Sequence, residues 1–437
     1  MSVRSVPRPT PFAKGTSMRP VLVYDDSMAA YDLGPNHPLK PERFTLTLDL
    51  IRAYGLIADE GAADGAGGTE GDAAGGGTAE ATFELLAPDP APVDDIELVH
   101  DDTYIETVKR ASASPESYRA VTVQGIGPGD TPPAPGLHEA AALICGGTIA
   151  ALARVLDAPS GPPARAFAPA GGLHHAHRDR ASGFCVYNDP AVAIAVALRD
   201  RPGVRIAYLD IDAHHGDGVE AAFYDTPDVL TISLHESGRY LFPGTGRAEE
   251  TGAGAGLGYA INVPMPPFAD AACYELAFDE VVAPALSAFA PDVLVAQCGA
   301  DAHHADPLTH LGLTLPEMRD LYHRVVSIAN DCCDGRITAC GGGGYGTYSV
   351  VPRAWTMLAA ALLGRELPEE LPEAWRHRSS SMSDEPAPRT LTEEAVSAGG
   401  VFGVAGGIRG GVGDPGTALE YTRSVASKLK SSVPLLA

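Results

Sequence analysis

Short apolar runs alternate with alanine-rich stretches along most of this chain, and five of the apolar runs end in polar or glycine-rich turns. The runs Val21–Tyr24, Phe83–Leu86, Arg165–Ala168, Val204–Asp212, Val229–Leu234, Val293–Gln297 and Ile337–Ala339 read as strands. Their near-continuous apolar character suits strands buried on both faces. Helical periodicity falls between them, at Pro41–Tyr54, Asp102–Arg110, Leu137–Leu156, Asp189–Asp200, Asp270–Phe289, Leu315–Cys332 and Val351–Leu363. The pattern predicts one α/β domain over residues 19–375, a mainly parallel sheet with helices on both faces.

Sheets of this kind bind ligands at the carboxyl ends of their strands. His174 and His175 follow Arg165–Ala168, and His235 follows Val229–Leu234. Asp301 follows Val293–Gln297, while Ile337–Ala339 runs into Gly341–Gly344 and Tyr345. The densest end is Asp210–Asp217, with three carboxylates and two imidazoles in eight residues. Such groups behind a buried strand are costly unless paired or bound to metal. If the strand stays extended to His214, then Asp210, Asp212 and His214 share one face. An Asp and a His two apart on one face are a ready pair of zinc ligands. Taken singly, each element has an ordinary reading: capping histidines, a helix-capping Asp301, a tight glycine turn, a solvated polar loop. The glycine run lacks the lysine and hydroxyl residue that close a phosphate loop, which excludes that mode of nucleotide binding.

A net charge of −25 argues against sequence-independent binding to nucleic acid or an anionic membrane, and permits attraction to a lysine-bearing partner. No window approaches eighteen uninterrupted apolar residues, so no membrane span is expected. Cys145, Cys185, Cys273, Cys298, Cys332, Cys333 and Cys340 include no C-x-x-C pair and sit in apolar surroundings, as reduced thiols of a cytoplasmic protein do. Residues 1–18 carry Arg4, Arg8 and Lys14 with no apolar core behind them; they read as a flexible arm, not a secretory signal. Residues 61–80 contain no apolar side chain larger than alanine and read as a low-complexity insertion. The tail, 376–437, is rich in Pro, Glu, Ser and then Gly, and is expected to be largely disordered or loosely attached.

The motifs Gly171–Ala176, Ser182–Asp189, Asp210–Gly218, Phe242–Gly246, Gly299–Asp301 and Gly341–Tyr345 together resemble the zinc-dependent histone deacetylase family. Gly125–Ala142, with its Asp130-Thr131-Pro132-Pro133, and Asn36–Arg43 are similar more narrowly to the bacterial acetoin-utilisation branch. The resemblance implies an arginase/deacetylase fold with a central eight-stranded sheet. It implies Asp212, His214 and Asp301 as zinc ligands, with iron(II) an alternative metal in vivo. Two carboxylates weaken the ion's acidification of water, so a protein base is needed. His175 is the implied general base and then acid, backed by Asp217; His174, backed by Asp210, is the electrostatic helper. Tyr345 is implied to hold the oxyanion. Phe184 and Phe242 are implied as walls of an acetyl-lysine tunnel, with Gly183 and Gly343 along it and Leu308 at the rim.

Two structural potassium sites are also implied. The first uses Asp210, Asp212, His214, Ser233 and Leu234; the second lies near Phe223, Thr226, Val229 and Tyr259. The implied reaction is hydrolysis of N6-acetyl-lysine in proteins, with acetyl-CoA synthetase the first candidate substrate. Rival readings are an acetylpolyamine amidohydrolase, an arginase-like binuclear manganese hydrolase and a non-catalytic acetyl-lysine scaffold. Tyr345 beside the paired His174 and His175 favours the deacetylase. Two departures stand out. Ser112–Gln124, where eukaryotic members carry a substrate-holding aspartate, has only Glu116. His303 and His304 replace apolar or small residues and are expected to be solvated loop or rim residues.

Overall fold

Eight parallel strands form one sheet: β1 (Val21–Val23), β2 (Glu84–Leu86), β3 (Arg165–Ala168), β4 (Ile206–Asp210), β5 (Val229–Glu236), β6 (Ala260–Met265), β7 (Val293–Gln297) and β8 (Ile337–Cys340). The computed structural model describes residues 19–58, 81–159, 161, 163–384, 386–393 and 415–436. The arm 1–18 and the insertion 61–80 lie outside the described residues. The strand order is β2-β1-β3-β8-β7-β4-β5-β6. The five strands whose ends carry chemistry, β3, β8, β7, β4 and β5, are thus contiguous in space although scattered in sequence. Central β4 pairs with β7 on one side and β5 on the other, Asp210 lying level with Gln297 and Ser233.

Local chemistry sets the helix ends. Thr314 and Glu317 make a capping box at the start of Leu315–Cys333. The Asn188 side chain accepts the Ala191 amide at 3.1 Å to cap Asp189–Asp200, with Pro190 in the first turn. Leu137–Leu156 is long and apolar enough to cross a membrane by composition, but it packs against β3, β1 and helix Asp189–Asp200 as a core helix. All seven cysteines are free, and only Cys332 is less than fully buried.

β6 is the strand that the sequence hid. Its Ala-Ile-Asn-Val-Pro-Met composition carries Asn262 and Pro264, and proline is tolerated because β6 is an edge. The edge is covered by the helix Pro415–Ser432, which also packs on helix Ala271–Ala277. Ala418, Val425, Ala426, Leu429 and Val433 recur at helical spacing and are buried, while Lys428 and Lys430 pair with Glu249 and Glu280. The expectation of a loosely attached tail is corrected here, because an amphipathic stripe was masked by the glycines before it. Trp375, just upstream, is also buried and donates from Nε1 to the Leu46 carbonyl at 2.8 Å. Residues 394–414 lie outside the described residues.

Candidate active site

The strand before the acidic cluster stops at Asp210, so Asp212 and His214 are not aligned by strand alternation as the sequence predicts. A tight turn places them instead. Asp210 Oδ1 accepts the Asp212 amide at 3.1 Å, and Asp212 Oδ1 accepts the His214 amide at 2.9 Å. Asp301, after β7, reaches across and accepts the Ala213 amide on Oδ1 at 2.9 Å. His214 Nδ1 then lies 3.1 Å from Asp212 Oδ1 and 2.9 Å from Asp301 Oδ2.

The donor set fits a divalent metal. One ligand atom from each of Asp212, His214 and Asp301 falls within 4.8 Å of the others, and all three residues are buried. Burial and the neighbouring Asp212 carboxylate push Asp301 above the usual carboxylate range, a repulsion that a divalent cation would relieve. Asp212 Oδ2 is oriented by Gln297 Nε2 and the Gly343 amide, each at 2.7 Å, as outer partners orient ligands.

His174 and His175 approach the triad from β3. Asp189, buried at the start of its helix, accepts the Gly172 and Leu173 amides at 3.1 and 2.8 Å and so fixes the turn that delivers them. His174 Nδ1 meets Asp210 Oδ2 at 2.7 Å, and Tyr208 Oη donates to the same oxygen at 2.6 Å. His175 Nδ1 meets Asp217 Oδ1 at 2.7 Å. The two Nε2 atoms face each other at 3.0 Å. Burial lowers both imidazoles, but Asp210 and Asp212 overcome it at His174 and hold it up to about 9. For His175, burial and the cationic neighbour act together and hold it near 3. The pair therefore titrates as a unit, with the proton favoured on His174 and His175 left as the acceptor.

The pocket over these groups is lined by Leu39, Arg43, His174, His175, Gly183, Cys185, His214, Gly343 and Tyr345. Phe184 stands edge-on to Tyr345 with ring centres 5.8 Å apart, and Phe242 edge-on to His175 at 5.1 Å. Phe184 adopts φ +68°, held by Tyr31, whose hydroxyl donates to its carbonyl at 2.7 Å. Gly183 cannot be larger, since a Cβ there would sit 2.3 Å from the His175 ring. Leu308 lies on the turn set by Asp306, which also accepts the Tyr345 amide at 2.8 Å.

A family model for the histone deacetylase domain matches residues 37–362. The chain belongs to the histone deacetylase family. It is 39% identical over 355 residues to the acetoin utilization protein AcuC of Bacillus subtilis, covering 81% of this chain and 85% of that protein. It is 32% identical to AcuC of Staphylococcus xylosus, with 81% and 85% covered. Among solved structures, an HDAC homolog complexed with SAHA superposes with TM-score 0.75 at 30% identity, covering 94% of this chain and all of that one. The HDAC homolog from Aquifex aeolicus gives TM-score 0.74 at 29% identity, with the same coverage. The protein is a deacetylase of the AcuC-like branch, and the family is metal-dependent.

Sequence reasoning missed several members of this deacetylase site. Arg43 is buried and donates from Nη1 to the carbonyls of Gly342 (2.8 Å) and Gly344 (3.2 Å), with its guanidinium over Trp355. It therefore buttresses the turn carrying Tyr345, across 299 residues of sequence that no local pattern spans. Gln297 was legible as the polar end of an apolar strand. Asp130 accepts the Gly183 amide at 2.8 Å, and His177 Nε2 meets Asp217 Oδ2 at 2.9 Å. His215, left without a sharp role by the sequence, bonds Thr245 at 2.9 Å and Glu220 at 3.3 Å; it ties down the loop that carries Phe242. Glu116 is exposed.

Gly343 offers a direct test of the ligand geometry. A Cβ there would fall 2.1 Å from Asp301 Oδ2 and 2.8 Å from Asp212 Oδ2. Gly343→Ala is expected to weaken catalytic-site metal affinity on the order of 10- to 100-fold, the range typical of disturbing groups that orient ligands. Metal titration of the folded variant measures it, and unchanged affinity would contradict this geometry.

Proposed function

We propose that this deacetylase removes the acetyl group from N6-acetyl-lysine side chains of proteins, in the first instance acetylated metabolic enzymes such as acetyl-CoA synthetase. The observation that carries the reading is the placement of two aromatic rings at the reacting groups, Phe184 edge-on to Tyr345 at 5.8 Å and Phe242 edge-on to His175 at 5.1 Å. An apolar four-carbon stem gains from burial against aromatic rings beside these groups.

Asp212, His214 and Asp301 would hold zinc, or iron(II) in vivo, which would supply Lewis acidity at the acetamide carbonyl and acidify an attacking water. His175, neutral and oriented by Asp217, takes the proton of that water through Nε2 as the oxygen adds to the carbonyl carbon. Tyr345 donates its hydroxyl to the oxyanion. The same His175 proton then passes to the lysine nitrogen as the C–N bond breaks, leaving acetate and free amine. His174, cationic and anchored by Asp210, stabilises the negative charge developing beside it.

Potassium belongs to the same reading. One ion would use Asp210, Asp212, His214, Ser233 and Leu234, Asp210 and Ser233 being level on β4 and β5; a second would use Phe223, Thr226, Val229 and Tyr259. A structural cation at the first would touch Asp210 and so tune His174. Free, buried cysteines support a reducing cytoplasmic setting for the enzyme.

The test is acetate release from acetyl-lysine peptides, acetylated acetyl-CoA synthetase and acetylpolyamines, with and without chelator. Turnover of the protein and peptides, lost on chelation and restored by zinc, is expected. Turnover confined to acetylpolyamines would replace this reading with the small-molecule one, and binding without turnover would replace it with the scaffold.

A further inference from the structure

A second cluster of ligand-type side chains lies outside the catalytic pocket. His303, His304 and Glu393 each place one ligand atom within 4.8 Å of the others, the same compass as the catalytic triad. His303 is not the solvated residue expected from sequence; it is 4% exposed. Its Nε2 lies 3.1 Å from Glu393 Oε1, and its ring centre lies 4.4 Å from that of His304. Glu393 Oε1 also accepts the Leu315 amide at 2.6 Å, whereas Glu393 Oε2 is buried with no hydrogen-bond partner among the described residues. Among the described residues the His304 imidazole makes no hydrogen bond, only this ring contact. Burial pushes Glu393 up, but His303 and the Leu315 amide bring it down to about 2, so the carboxylate is charged.

A charged carboxylate with an orphaned oxygen, facing two imidazoles, is a costly arrangement that a cation would satisfy. Two nitrogen donors and one oxygen select a borderline transition ion over calcium or magnesium, which take oxygen ligands. We propose that His303, His304 and Glu393 form a second divalent-metal site, suited to zinc, that staples the C-terminal segment 386–393 to the loop carrying Asp301. The His303–Glu393 hydrogen bond stands where the ion would sit, as the His214–Asp301 contact does in the catalytic triad.

The surroundings rank the two sites. His303 Nδ1 accepts the Ala305 amide at 3.2 Å, so the ring proton is on Nε2. Coordination through Nε2 moves that proton to Nδ1 and breaks the Ala305 bond. No such loss occurs at His214, where both neighbours of Nδ1 are carboxylates. The second site therefore binds more weakly, and a chelator empties it first.

The test uses the full-length, metal-stripped chain titrated with zinc against a chromophoric indicator, and with cobalt(II) followed by its visible spectrum. Two ions per chain are expected, the second at least tenfold weaker. Glu393→Gln and His304→Ala should each bind one ion at the tight site; circular dichroism verifies their fold, and half-exposed His304 is the milder change. Asp301→Ala should keep the weaker ion. One ion bound by the wild-type chain overturns the proposal, as does a second ion that survives both His304→Ala and Glu393→Gln. Because the readout is stoichiometry, its failure is separate from any failure to deacetylate acetyl-lysine.

Discussion

His175→Ala lowers kcat by about 10²–10⁴-fold, the range a positioned general base supplies, while metal content and KM for an acetyl-lysine peptide stay near wild type. The expectation rests on what holds His175. Asp217 fixes Nδ1 at 2.7 Å, which leaves Nε2, facing His174 Nε2 at 3.0 Å, as the nitrogen that accepts the proton. Burial, with the cationic His174 at 3.0 Å, holds the imidazole near 3, which keeps it an unprotonated acceptor at neutral pH. It is no metal ligand, so its loss leaves the triad of Asp212, His214 and Asp301 intact. The sign of the neighbour's effect gives a second check. Removing the His174 cation lets the affinity of His175 for protons rise, so His174→Ala moves the acid limb of kcat/KM to higher pH. An unmoved limb, or a His175→Ala enzyme of near-normal kcat, would transfer the base to another group.

Tyr345→Phe lowers kcat by about 10²–10³-fold, the loss seen when one oxyanion donor is removed, again without loss of metal. Burial, then the Asp301 and Asp212 carboxylates, push the Tyr345 phenol well above 10, so its proton stays available for donation throughout the working range. The ring is aimed by its backbone. Gly344 takes φ +132°, and a Cβ there would meet Val351 at 2.8 Å and Ala300 at 3.0 Å, so the sharp approach needs glycine. Asp306 then holds the Tyr345 amide, and Arg43 holds the two carbonyls before it. A merely structural tyrosine would show itself in the thermal midpoint instead. Phenylalanine keeps the packing against Phe184, so stability should move little while turnover falls. Full activity in the folded variant removes Tyr345 from the chemistry.

Much of the site was legible because its chemistry is local. His174-His175, Asp212 and His214, Asp301 and Tyr345 each follow a short apolar run whose length and flanking turns read as a buried strand, and the turn residues after each run are polar or glycine. Period and turn chemistry need no knowledge of the rest of the chain. The same locality produced the errors. Asp212 and His214 looked strand-aligned because apolar character continues through Ile211, yet hydrogen bonds to Asp210 and Asp212 side chains break the strand there. β6 was hidden by Asn262 and Pro264, whose cost depends on being at an edge, and the edge is a property of the sheet. The terminal helix was discounted because its stripe gains value only against that edge.

By itself the sequence determined seven of the eight strands, which residues could bind metal or move protons, and the side of the sheet on which they gather. Those are consequences of burial and of backbone preference within a few residues. Tertiary structure alone decided the rest. Placing β4 between β7 and β5 sets Asp301 against Ala213 and His214, a distance no spacing encodes. It sent Arg43 under the Tyr345 turn, Gln297 onto Asp212 and Glu393 onto His303. Such contacts join residues tens to hundreds apart, and their energies exist only once the chain has closed around them.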